Sequence, residues 1–131
     1  MEEMTDSDVT RTELAGLADF AELADLLASP LDPVLSDPTR LRIQAALHAL
    51  PPDAAMSFTI LRKALMLTDG NLGKHVHVLV DAGFVTTEEH WRGKRRTRLY
   101  RASSAGRAAF DAHVQALNAI IRASAAATGD D

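Results

Sequence analysis

The spacing of hydrophobic positions changes along this chain, and each change marks an element. From Arg11 to Ala28 the residues Leu14, Leu17, Ala21, Ala24 and Ala28 follow one helical stripe, widened by Phe20, Leu23 and Leu27. Glu13, Asp19, Glu22 and Asp25 fall mostly elsewhere. A stripe this broad suits packing on the chain's own domain and on a second copy together, although a lid on the same domain would use it as well. Ser29-Pro30 ends the helix, and Leu31 to Ser36 links onward. Asp37-Pro38 then opens a second helix, an N-cap followed by proline at the first helical position. Ile43, Leu47 and Leu50 make one apolar face and Leu41, Ala45 and His48 another, so this helix should be well buried, with His48 as a core histidine. Pro51-Pro52 stops it.

Met56 to Phe58 reads as a short strand, and Phe58 to Gly83 as two short helices joined by a tight turn. In the second of these, Thr68 or Asp69 can cap the first turn, and Gly83 stands where a left-handed C-terminal cap falls. Leu72, Val76, Leu79 and Gly83 share one face. Gly70, Asn71, Lys74, His77, Val78 and Asp81 lie opposite. That outer face begins with small polar residues and a cation and avoids bulk. A helix entering a DNA major groove needs such a face, with amide and imidazole groups for base edges and a lysine for phosphate. A solvated amphipathic helix would show the same pattern, so this stretch alone does not decide. Phe84 to Trp91 predicts a strand, Arg92 to Arg96 a turn built on Gly93, and Thr97 to Ala102 the returning strand, together a β-hairpin with a cationic tip. Ser103 or Ser104 caps a last helix from about Ala105 to Ala126. There Phe110, Val114, Leu117 and Ile121, with Ile120 alongside, form a seam suited to a partner helix.

The fold class expected is mainly α with a small β-hairpin wing, a winged helix-turn-helix with helical dimerisation elements at both termini. Its organisation would be a flexible acidic segment over 1–10, an N-terminal packing or dimerisation helix over 11–29, a winged-helix core over 31–102, a C-terminal dimerisation helix over 103–127 and a tail over 128–131.

Charge sharpens this picture. The net charge of −4 conceals a segregation. Met1 to Ser36 carries nine acids against Arg11 alone, net −8, whereas Thr59 to Arg107 carries ten bases against four acids, net +6. Surface contacts are screened over roughly 8–10 Å, so the local sign governs them. The absence of cysteine excludes disulfides, zinc ribbons and thiol catalysis. An acidic N-terminus without an apolar stretch is not a secretory signal, and no apolar run is long enough to span a bilayer, so the cytoplasm is the expected compartment, with nucleoid association following from any DNA binding.

The motifs carry a family resemblance. Leu31 to Ile43, with its Asp37-Pro38-Thr39-Arg40-Leu41-Arg42-Ile43 helix start, resembles the opening of the ArsR/MarR-type winged-helix regulators. Leu67-Thr68-Asp69-Gly70-Asn71-Leu72, followed by His75 and Leu79, resembles the recognition helix of one MarR-like branch. Arg95-Arg96-Thr97-Arg98 and Gly106-Arg107 resemble that branch's wing and the start of its last helix. The match runs from about Leu31 to Phe110. Gly73 departs from it, standing where serine is common, and so does Ala102-Ser103-Ser104-Ala105. A glycine inside a helix costs roughly 0.5–1 kcal/mol against alanine, so Gly73 weakens the helix unless close backbone approach to DNA offsets the loss. The resemblance implies a homodimeric transcription regulator, a repressor more often than an activator, on pseudo-palindromic double-stranded DNA. The DNA-binding residues would be Thr68, Asp69, Gly70, Asn71, Gly73, Lys74 and His77 on the helix and Arg92, Lys94, Arg95, Arg96 and Arg98 on the wing. Leu14, Leu17, Phe20, Leu27, Phe110, Val114, Leu117 and Ile121 would form the dimer interface.

Other chemistry finds little footing. Asp111 and His113 resemble the start of the last-helix motif of ArsR-type zinc sensors, but Ser124 and Ala127 occupy the positions of its later ligands, so no metal is expected. His75 and His77 diverge by about 160° on an ideal helix and cannot chelate together; His75 flanks the core face. No phosphate loop, nucleophile elbow or paired carboxylates suggest an enzyme or a cofactor. A small-molecule effector could enter between the terminal helices and the core, but no residue set identifies one. A different class of function, a winged-helix module whose basic face meets an acidic protein partner, fits the same charge pattern.

Overall fold

The computed structural model describes residues 20–127. The acidic segment 1–10, most of the predicted first helix including Leu14 and Leu17, and the tail 128–131 lie outside the described residues. Residues 31–114 form one compact unit, and residues 20–30 with 115–127 are the described part of a second.

In the second unit, helix α1 is described over residues 20–27 and closes with Ala28 N–H on the Ala24 carbonyl, one residue before Ser29-Pro30. Leu23 and Leu26 are half-buried, whereas Phe20 and Leu27 are 64% and 54% exposed. From the last helix this unit takes the buried stripe of Ala116, Ala119 and Ala123, and Ile121 is 61% exposed. Among the described residues, the apolar surface of this unit is only partly covered.

The larger unit begins with a linker that is more built than its sequence suggests. Asp32 Oδ1 accepts the N–H groups of Val34 and Leu35 at 2.8 and 3.2 Å, and the Ser36 hydroxyl donates to the Asp32 carbonyl. This turn delivers Leu35 into the core, where it is fully buried. Helix α2, Pro38–His48, starts at Asp37, whose carboxylate accepts from the N–H groups of Thr39 and Arg40. Ile43 and Leu47 are buried as the periodicity predicts, and His48 lies against Phe110 with ring centroids 4.5 Å apart. Strand β1, Met56–Ser57, leads directly into α3, Phe58–Leu65, through the Ser57 cap; α4, Asp69–Asp81, follows. Strands β2, Val85–Arg92, and β3, Arg95–Ala102, form the hairpin, and α5, Ser104–Ala127, ends the fold. The sheet is antiparallel in the order β1-β3-β2.

One detail corrects the sequence reading and a second adds to it. The turn is two residues, not five. Gly93 adopts φ +63°, among the described residues Lys94 does not share a positive φ, and Arg92 pairs with Arg95. Glycine alone at the first central position is the type II′ arrangement, whose twist matches the strands and lets them pair to their ends. The second detail is Gln44, buried completely in the face that periodicity would reserve for apolar side chains. Its Nε2 donates to the carbonyl of Phe84, which also receives the N–H of Ser103. A buried carbonyl beyond a helix end needs donors, and Gln44 supplies one.

The core gathers Leu35, Ile43, Leu47, Leu61, Leu72, Val76, Leu79, Val85 and Tyr100. Each helix of the helix-turn-helix therefore buries its inner face and presents the other outward.

Candidate nucleic-acid interface

The geometry of α4 follows from its caps. Thr68, rather than Asp69, is the N-cap: its hydroxyl oxygen accepts the N–H of Asn71 at 3.1 Å. Asp69 instead pairs with Arg62 at 2.9 Å, tying the start of α4 to α3. At the far end Gly83 takes φ +79°, with Phe84 N–H on the Leu79 carbonyl and Gly83 N–H on that of Val80, the paired bonds of a Schellman cap. The turn before α4 has the same bonding, from Leu67 to Arg62 and Met66 to Lys63, but with Met66 at φ +56° where glycine is usual.

Burial of Leu72, Val76 and Leu79 leaves Gly70, Asn71, Lys74, His77 and Asp81 exposed, with Gly73 and Val78 half-buried. Among the described residues, a Cβ added at Gly70 or Gly73 would meet nothing within 4 Å, so their packing does not require glycine at either position. His77 Nε2 stands 3.3 Å from Asp81, an exposed pair one turn apart. His75 is mostly buried, its Nδ1 3.3 Å from the Arg40 guanidinium and 3.8 Å from the Asp37 carboxylate, while Arg40 Nε donates to the Val34 carbonyl. Helix α4 is thereby pinned to the N-terminal end of α2 and its linker.

The wing's cations fall into two groups. Residues alternate across the hairpin, so Glu89, Trp91, Arg96 and Arg98 share the face that carries buried Val85, Tyr100 and Ala102 toward its base. On that face one oxygen of Glu89 lies 3.3 Å from both Arg96 and Arg98. Hydrogen bonding to the Tyr100 side chain, and then to Glu89, raises the Arg98 pKa above its ordinary value. Arg92, Lys94 and Arg95 at the tip have no ion pair among the described residues, nor does Lys74 on α4. Trp91, which the sequence reading took only as strand-forming, is 64% exposed beside Arg96 in register.

Two cations that raise the local positive count are structural. Arg107 donates to the carbonyls of His48 and Leu50 at the end of α2. Arg101 donates to the Asp53 carbonyl and pairs with Glu88. Among the described residues no group of three or more His, Asp or Glu is placed to hold a metal, and no helix is long and apolar enough to cross a membrane.

Of the sequence-predicted seam, Phe110 is engaged with His48 and the core, Val114 and Leu117 are half-buried, and Ile121 is exposed.

Two helices at a tight turn, the second open along its outer face, beside a hairpin tipped with free cations, define a winged helix-turn-helix nucleic-acid binder. The profile of the winged helix DNA-binding domain matches residues 39–121, and the chain belongs to that family, a class of DNA-binding proteins and not of enzymes. Among solved structures it is similar to a transcriptional regulator homologue from Pyrococcus horikoshii at 28% identity and TM-score 0.62, covering 78% of this chain and 95% of that one. It also shares the fold of AbsC, a MarR family transcriptional regulator from Streptomyces coelicolor, at 18% identity and TM-score 0.55, covering 86% of this chain and 78% of that one. The MepR protein of S. aureus, solved as a DNA complex, is similar at 13% identity and TM-score 0.54, covering 92% and 89%. No curated protein matches the chain.

Proposed function

We propose that this protein is a sequence-specific transcription regulator, acting as a repressor by occupying pseudo-palindromic operators as a homodimer in the cytoplasm. In this reading α4 enters the major groove and the wing tip reaches the minor groove. The observation that carries it is the outer face of α4: Asn71 and Lys74 are exposed, and among the described residues nothing lies within 4 Å of a Cβ at the glycines beside them. Asn71 lies in the first turn, the end that faces bases in helix-turn-helix proteins, and its amide can pair with adenine. Thr68 caps the helix from below this face, and Asp69, held by Arg62, presents less free negative charge to a phosphate.

The wing supports the reading through Arg92, Lys94 and Arg95. A narrow minor groove concentrates negative potential that attracts arginine, and flanking cations find phosphate. Dimerisation is supported by the exposed Phe20, Leu27 and Ile121 in the terminal unit, and sedimentation at micromolar concentration should give a dimer. The testing experiment is binding-site selection with wild type and Asn71→Ala. The variant should lose preference at one base pair of each half-site, a discrimination of roughly 1–3 kcal/mol, while keeping non-specific affinity. An identical preferred sequence at every position would show that Asn71 does not read bases.

One observation favours a second reading. Arg96 and Arg98 already hold a carboxylate, so the same face could seat an acidic protein. Retention of a short duplex at near-physiological salt separates the two.

A further inference from the structure

We propose that Glu89 is a charge damper on the wing: it occupies Arg96 and Arg98 in the free protein and so restrains non-specific binding to DNA. The inference rests on the DNA-binding reading above and adds to it a residue that sets specificity.

The geometry is that of one acceptor shared by two donors. Glu89 and Arg98 are direct cross-strand partners, and Arg96 stands opposite Trp91, one step toward the tip on the same face. A single carboxylate oxygen reaches both guanidinium groups at 3.3 Å. All three side chains are 40% exposed or more, so the attachment is weak enough for a phosphate to replace it. A guanidinium that faces a carboxylate nevertheless displaces fewer counterions from a duplex than a bare one does, and counterion release drives sequence-independent binding. Arg92 and Arg95 point to the opposite face of the hairpin and have no such partner among the described residues. The wing therefore carries a bare tip for first contact and, behind it, a flank whose two arginine charges are partly offset by one carboxylate. Base-edge contacts from α4 exist only on a matching site. The flank arginines exchange carboxylate for phosphate at little cost once α4 holds the protein there, but add little on a random duplex.

Glu88 provides the internal control. It lies on the other face and pairs with Arg101, which also donates to the Asp53 carbonyl and is thereby committed to the fold.

The test measures binding of wild type, Glu89→Gln and Glu88→Gln to a random-sequence duplex and to a duplex taken from binding-site selection, across a salt series. Glu89→Gln should bind the random duplex about fivefold more tightly at low salt, the upper range for one exposed ion pair. Its salt slope should steepen by about one for the one carboxylate charge removed, with a smaller gain on the selected duplex, so that specificity falls. Adding Arg96→Ala and Arg98→Ala to Glu89→Gln should return the slope to wild type or below, and Glu88→Gln should leave it at wild type. Unchanged or weaker random-duplex binding by Glu89→Gln, with wild type binding normally, overturns the damper and shows a carboxylate that orients the arginines instead. Failure of wild type to bind any duplex would sink the DNA reading itself, and the damper with it.

Discussion

The backbone amide of Asp32 donates to Nδ1 of His113 at 2.9 Å, joining residues 81 apart in sequence. An imidazole nitrogen that accepts carries no proton, so the buried ring is neutral with its hydrogen on Nε2. Asp32 meanwhile organises the turn that buries Leu35. His113 thus anchors the linker to α5, and Asp111, its companion in the zinc-sensor resemblance, pairs with His48 at 3.1 Å.

Replacing His113 with leucine keeps the bulk and removes the acceptor. The Asp32 amide would be left without its partner at a cost of about 1–3 kcal/mol. Urea denaturation should show that loss as a lower midpoint at unchanged slope. A change under about 0.5 kcal/mol would mean that the amide finds water and the anchor is dispensable.

What the sequence disclosed and what it hid divide along a physical line. Periodicity located Ile43, Leu47, Leu72, Val76 and Leu79, because helical spacing and apolar character together dictate burial. Gly83 was legible as a cap, and the N-cap was narrowed to Thr68 or Asp69, because few residues satisfy those positions. Gln44 and His113 were not, because a buried polar group is justified only by a partner remote in sequence, here Phe84 and Asp32. The wing's cations were visible as a cluster, but their division was not. Which arginine faces Glu89 depends on strand register, and that was fixed only when Gly93 made the turn two residues long.

Asp37 gives a prediction in pH. Hydrogen bonding from the Arg40 N–H chiefly lowers its pKa from the ordinary 3.8, opposed by burial and helped by nearby His75 and Arg40 charge. A depressed carboxylate contributes stability that is complete above its unfolded value and is lost as pH falls through the lower folded value. Asp37→Ala should cost about 1 kcal/mol near neutrality through loss of the cap. Asp37→Asn keeps a capping oxygen but does not titrate. Thermal melts should therefore show wild type losing stability relative to Asp37→Asn only as pH drops below about 3.8. A parallel pH profile for the two proteins would remove the charged form of Asp37 from the account.

Two glycines make opposite predictions: Gly106 in α5 is required by the fold, whereas Gly73 tests whether α4 is shaped for the fold or for what it touches. A Cβ at Gly106 would fall on the Phe84 carbonyl oxygen and 2.6 Å from Gln44 Nε2, in the knot where Ser103 caps α5 and bonds Gly83. Gly106→Ala has to displace backbone or the buried amide, and should destabilise by at least about 2 kcal/mol, in the upper part of the range for overpacking. Gly73 lies inside a helix, and among the described residues nothing stands within 4 Å of a Cβ there. Gly73→Ala should stabilise the protein by about 0.5–1 kcal/mol, since alanine restricts the unfolded chain and favours the helix. A fold-only role for Gly73 leaves this gain with no loss elsewhere. If α4 approaches DNA along that stripe, the added methyl should instead weaken binding to the selected duplex while raising the melting temperature. A more stable Gly73→Ala protein with unchanged duplex affinity would place the groove contact on another part of α4 and move the docking register away from Gly70 and Gly73.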